Sequence, residues 1–327
     1  MRIGIIGLGS IGQRHARSLI KLGIKDIYAL RTKKGAMKEL PSDLKYIQEV
    51  SDEKEFYALG LDGVIISNPT SLHIATLIKV LKNKIPVFVE KPLAASLNEL
   101  KETIGYDVSK VLVGFDFRYD DLMNTVKQFL DSGKLGKILK ANLYCGQYLP
   151  MWHPYADYRK EYYAQKKLGG GVIRTLCHEI DIMHYLFGVP KEILGIVDKI
   201  SDLEIDVDDS TYLICRMKNE SLVTIEVDYL NPKGIRKGII FGLKGILEYT
   251  YSKPEITFTD NAGMTTAIYQ QGNEDWDKTF KQEMQDFIAC IKNTKKPHSA
   301  FEDGVNVMKI IEKAELSMLS KSWQKID

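Results

Sequence analysis

The sequence predicts an α/β unit with a doubly wound parallel sheet, followed by an α+β unit with a mainly antiparallel sheet. Over residues 2–117 short β-branched runs alternate with helix-patterned stretches, and that strict alternation implies parallel strands joined by crossover helices. Beyond it the apolar residues recur at every second position over longer runs, the pattern of half-buried antiparallel strands. The length of 327 residues also exceeds the roughly 250–300 at which one hydrophobic core stops growing, so two domains are expected.

In the first unit IGIIG, IYAL, GVIIS, VFVE and VLVGF read as strands, and residues 11–22, 72–81 and 96–104 as helices. A helix at 120–133 follows the change of texture. The longer strands are then ILKANLYCGQYL, STYLICRM, SLVTIEVDYL, GIIFGL, GILEYTY and EITFT. Residues 168–187 open with three glycines and continue as an amphipathic helix, and helical patterns at 275–292 and 304–320 close the chain. The composition shift near 117–121 divides the chain into domains 1–118 and 119–327, with the last helix, at about 303–320, able to pack back on the first.

A net charge of +2, left by 45 basic and 43 acidic side chains, offers no broad field to nucleic acid or to an anionic membrane, so a small-molecule partner is expected. Glycines interrupt the apolar N-terminus before signal-peptide length, and no stretch approaches ~20 uncharged apolar residues. The expectation is a cytoplasmic chain with no membrane partner. Cys145, Cys177, Cys215 and Cys290 lie far apart without CxxC spacing, which suits buried thiols and predicts neither disulfides nor a metal.

The first strand runs into Gly7-Leu8-Gly9-Ser10-Ile11-Gly12 and then directly into a helix. In such a turn one glycine makes the bend, one lets the backbone approach a pyrophosphate, and one packs helix on strand. The phosphates sit on the helix N-terminus, where free N–H groups and the dipole favour negative charge. This is the fingerprint of a dinucleotide-binding Rossmann domain. NAD and NADP are told apart at the end of the second strand, where an acid accepts from the ribose 2′-hydroxyl. Here Arg31-Thr32-Lys33-Lys34 stands instead. Arg31 can pair with a 2′-phosphate, so NADP is expected with NAD as the alternative; Arg31 stacking on adenine beside a solvated lysine turn is the other reading. Two more strand-end segments, Asn68-Pro69-Thr70 with His73 beyond it and Glu90-Lys91-Pro92, are expected at the cofactor. The proline holds Lys91 extended at the mouth of the sheet.

These residues resemble the glucose-fructose oxidoreductase, inositol dehydrogenase and rhizopine-catabolism family, Gfo/Idh/MocA. The resemblance rests on GLGSIG at 7–12, NPTSLH at 68–73, EKP at 90–92, GFDFRY at 114–119 and GGGVIRTLCHEID at 169–181, and spans essentially the whole chain. It implies a Rossmann domain followed by an open-faced, mainly antiparallel sheet that associates into a homodimer or homotetramer. It also implies that Lys91 bonds to the reacting hydroxyl and the nicotinamide ribose, and that His178 is the general acid or base.

One departure stands out. Many relatives carry aspartate four residues before the histidine, where this chain has Arg174. On a continuous helix Arg174, His178 and Asp181 would share a face, so Arg174 is expected to pair with Asp181 or to grip an acidic group of the substrate. Trp152, His153 and Tyr158 form an aromatic loop suited to stacking on sugar rings, and Arg118 is a further substrate candidate. The expected function is hydride transfer between a nicotinamide dinucleotide and a sugar, nucleotide-sugar or polyol hydroxyl or ketone. The alternatives are an inositol-type polyol dehydrogenase using NAD, a cofactor-binding sensor without turnover, and transient oxidation that enables elimination.

Overall fold

The computed structural model describes residues 1–31, 39–154, 156–272 and 275–326. Thr32, Lys33, Lys34 and Tyr155 lie outside the described residues. Along the chain the elements are β1 (Arg2–Ile6), α1 (Ser10–Lys21), β2 (Asp26–Leu30), β3 (Gln48–Val50), α2 (Glu53–Ala58), β4 (Gly63–Ile66), α3 (His73–Lys82), β5 (Val87–Val89), β6 (Val111–Val113), α4 (Asp121–Asp131), β7 (Ile138–Gly146) and α5 (Leu149–Trp152). Then come α6 (Val172–Thr175), α7 (His178–Phe187), β8 (Glu192–Asp198), β9 (Ser210–Arg216), β10 (Leu222–Asp228), β11 (Ile235–Gly242), β12 (Gly245–Thr250), β13 (Glu255–Asp260), β14 (Thr265–Gln270), α8 (Trp276–Ile291), α9 (Phe301–Ser320) and β15 (Gln324–Lys325).

They form two compact units, Met1–Tyr119 with Trp276–Val305, and Asp120–Asp275 with Asn306–Asp327. The segment that rejoins the first unit is therefore the one carrying α8. The last helix, which the sequence left able to pack there, contributes its first turn to the first unit, and from Asn306 it belongs to the second.

In the first unit, strands run parallel in the order β3-β2-β1-β4-β5-β6. β4, β5 and β6 are buried at every position, as expected when helices cover both faces of a parallel sheet. Ile3, Ile5, Ile65, Phe88 and Leu112 pack against Met284 and Phe287 of α8. Residues 97–103 form a run of 3-10 turns in place of the predicted α-helix. The strand order changes direction between β1 and β4, and open α/β sheets bind their ligands outside the strand ends at such a point.

The second unit is built on a sheet ordered β14-β13-β12-β11-β7-β10-β9-β8-β15. It is antiparallel except for the β7–β10 pair, which runs parallel. Alternation sorts its faces: on β9 Leu213 and Cys215 are buried while Tyr212 and Ile214 are exposed, and α7 packs against β7 and β10. Residues 172–187 do not form the single helix predicted. α6 ends at Thr175, Leu176 takes φ −98° and ψ 30°, and α7 begins at His178. Among the described residues no helix is long and apolar enough to cross a membrane.

Candidate active site

In the first unit the glycine turn has the shape a dinucleotide requires. Gly7 has φ +94°, and a Cβ there would meet the Asn68 amide nitrogen at 2.5 Å. A Cβ on Gly12 would run into the Gly7 carbonyl oxygen, whereas one on Gly9 would meet nothing within 4 Å. Two glycines thus let backbone meet backbone, and the third leaves open space in front of α1. That helix has no side-chain cap from Gly9 and no acid in its first turn, so its leading N–H groups, which lack intrahelical acceptors, suit an anion. Leu8 is buried, and Ser10 is exposed at the start of α1. The residues therefore fit a dinucleotide.

Beside this turn two strand-end loops are tied together by His73. Its Nδ1 lies 2.8 Å from Pro92 O and its Nε2 2.9 Å from Asn68 O. Burial holds its pKa below the ordinary value, against the pull of those two carbonyls. At 1% exposure the ring joins the two loops beside the glycine turn. Thr70, equally buried, opens a 3-10 turn, and Asn68 Nδ2 donates to Thr76 Oγ1. Ser67 Oγ donates to Gly7 O, fixing this loop to the glycine turn.

Lys91 is half-buried at the end of β5, joined to Pro92 by a cis peptide bond. Its N–H donates to Glu90 Oε2 (3.2 Å). Glu90 is buried and turns inward to His15, with Oε1 2.5 Å from Nε2. Burial pushes the Glu90 carboxyl up, but the His15 contact and the charges of His15 and Lys91 pull it down further, so its pKa lies below the usual carboxylate value. Glu90 thus holds the Lys91 backbone through one oxygen and His15 through the other. Sequence reasoning missed His15 and also Glu283 of α8, which is 0% exposed and whose carboxyl oxygens find no hydrogen-bond partner among the described residues. The available signal was a carboxylate on the apolar stripe Phe280, Met284 and Phe287.

Two arginines are committed inside this unit. Arg31, 8% exposed, donates from Nη1 to Glu49 Oε1 on β3 (3.0 Å). Arg118 pairs with Asp303 (3.1 Å) and donates to His298 O (3.3 Å), so the expected substrate contact has a structural use.

In the second unit His178 opens α7 and is largely buried. Its neighbour Glu179 receives both a 2.6 Å and a 3.3 Å bond from Arg236 of β11, a bidentate pair that fixes the start of α7. Arg174 reaches Glu315 of α9 through two bonds of 2.6 and 3.1 Å. The expected face of Arg174, His178 and Asp181 depended on a continuous helix, and the break at Leu176 removes that premise. Asp181 is buried within α7. Asp208 accepts from the Ile173 N–H (2.9 Å); burial outweighs that bond and Arg174, and its pKa is pushed up to about 6.

The predicted aromatic loop is a stack. The Trp152 and His153 rings lie 5.7 Å apart at 8°, and Trp152 and Tyr163 5.2 Å apart at 28°. Burial lowers the His153 pKa. Tyr158 Oη accepts from Glu204 N. All four cysteines are buried.

Comparison with known proteins agrees with the fold. The NAD-binding Rossmann domain of the GFO/IDH/MocA oxidoreductase family matches residues 1–110, and the C-terminal domain of the same family matches 123–248. The chain belongs to the Gfo/Idh/MocA oxidoreductase family. It is 26% identical to the myo-inositol 2-dehydrogenase of Thermotoga maritima, over 100% of this chain and 99% of that one. It is 28% identical to the scyllo-inositol 2-dehydrogenase (NAD(+)) of Bacillus subtilis, over 91% and 88%. Among solved structures, levoglucosan dehydrogenase in complex with NADH and levoglucosan superposes with a TM-score of 0.86 at 20% identity, covering 100% of this chain and 99% of that chain. This family member is thus an oxidoreductase with an NAD-binding Rossmann domain.

Proposed function

We propose that the chain is a dehydrogenase that oxidises a secondary alcohol of a sugar or inositol-type polyol, or reduces the matching ketone. The observation that carries this reading is the glycine cradle, closed at Gly7 and Gly12 and open at Gly9, within a family of NAD-binding oxidoreductases. The inositol dehydrogenases similar over nearly the whole chain support a polyol. The dinucleotide is proposed to be NAD. Arg31, on which the expectation of NADP rests, is already engaged by Glu49.

When bound, the nicotinamide supplies the hydride acceptor or donor. Lys91 is assigned to hold the reacting hydroxyl, its ammonium favouring alkoxide character as hydride leaves. His178 is assigned to take or return the hydroxyl proton as a general acid or base. Trp152, His153 and Tyr158 are assigned to the substrate, the stacked rings offering an apolar face to a sugar ring. Arg118, Arg174 and Asp181 are assigned to the frame. The second unit is also proposed to join copies of the chain through the sheet face that exposes Ile196, Tyr212 and Ile214, and sedimentation as a single chain would contradict this. Absorbance at the nicotinamide band, followed over a panel of inositols, sugars and nucleotide sugars, tests the function; no change with any of them would overturn it.

A further inference from the structure

We propose that Glu49 selects between the two nicotinamide dinucleotides, withholding the Arg31 guanidinium from a 2′-phosphate and offering a carboxylate to a free ribose diol. The inference rests on the dinucleotide site proposed above. It replaces the expected reader of the 2′ position, which by sequence is Arg31 with Thr32, Lys33 and Lys34 beside it.

β2 carries no acid at its end, yet the next strand brings one there. The parallel register sets Ala29 opposite Glu49 and Leu30 opposite Val50. The Arg31 N–H then bonds to Val50 O (2.9 Å), so β3 accompanies the chain past the end of β2. Arg31 Nη1 consequently lies 3.0 Å from Glu49 Oε1, with the arginine side chain 6% exposed and the glutamate 27%. β2 neighbours β1, whose end becomes the glycine turn, and in this topology the adenosine ribose lies on that side of the turn.

The two cofactors make opposite demands here. A 2′-phosphate needs a cation with no competing anion, and Glu49 both occupies the guanidinium and adds a like charge in a partly desolvated place, where such repulsion is weakly screened. A 2′-hydroxyl needs an acceptor, which the carboxylate is. A single charge in the right strand therefore reverses what the basic run Arg31-Thr32-Lys33-Lys34 suggests.

The test is binding of NADH and NADPH to the full chain by titration calorimetry, with no turnover needed, for wild type, Glu49→Gln, Glu49→Asp and the double variant Glu49→Gln/Arg31→Gln. Wild type is expected to bind NADH roughly tenfold or more tightly than NADPH, since one unit-charge contact of this kind commonly carries that much discrimination. Glu49→Gln closes or inverts the gap, Glu49→Asp keeps the wild-type preference, and removing Arg31 as well abolishes the gain for NADPH. A wild type that prefers NADPH, or a ratio unmoved by Glu49→Gln, overturns the role of Glu49 while the dinucleotide site stands. Binding of neither cofactor overturns that site and this proposal with it.

Discussion

His15 Nε2 lies 2.5 Å from Glu90 Oε1 within the first unit, so the residue preceding Lys91 is anchored to the helix that opens at the glycine turn. Glu90 folds as an anion, held below its ordinary pKa. Glu283 is the opposite case. Burial pushes its pKa well above the ordinary value, and the charges of Asp116, Glu90 and Asp286 add to that.

An acid whose folded pKa is raised binds a proton in the native state that the unfolded chain has already released, so stability falls as pH climbs from the unfolded value toward the folded one. Glu283→Gln removes that cost and keeps the shape of the side chain. Its urea midpoint is expected to match wild type near pH 4 and to rise above it increasingly toward pH 8. A difference that does not change with pH would show Glu283 to be ionised in the fold.

The open space at Gly9 separates binding from folding. Gly9 has φ −71°, which alanine adopts freely, and its Cβ would touch nothing. Gly9→Ala should therefore keep its melting temperature within about 2 °C, since exposed substitutions usually change stability by no more than ~0.5 kcal/mol. It should weaken dinucleotide binding by roughly tenfold or more, because the methyl group would occupy the approach of a pyrophosphate. Calorimetric titration alongside thermal unfolding checks both, and unchanged affinity would remove the pyrophosphate from this turn.

Arg174 serves Glu315, so Arg174→Ala should act on stability and not on substrate charge. A bidentate, partly exposed pair of this kind contributes about 1 kcal/mol. KM values for neutral and for phosphate- or carboxylate-bearing substrates should shift by the same factor. A selective loss for the acidic substrates would return Arg174 to the substrate.

The strand–helix alternation, the glycine turn and the position of Lys91 were legible because each is written in a few adjacent residues. β3 was not legible, since Gln48-Glu49-Val50 offers one apolar residue and no alternation to count. The break at Leu176 carries neither glycine nor proline, so the apolar period ran across it. The partners of Arg31, Arg174 and Glu90 lie 18, 141 and 75 residues away. Local pattern places a charge on an element, but only the packed fold decides what neutralises it, and for Arg31 and Arg174 that decided the reading.

Lys91 and His178 are proposed to serve hydride transfer at a CH–OH carbon. Initial rates of NAD reduction with the best substrate of the panel, measured for wild type, Lys91→Ala and His178→Ala at saturating cofactor, decide this. Turnover should fall by roughly a hundredfold or more in each variant, the usual loss when an acid–base or charge-stabilising group is removed, while NAD affinity stays within about threefold. A Lys91→Ala chain that reduces NAD at the wild-type rate would remove Lys91 from the reacting centre.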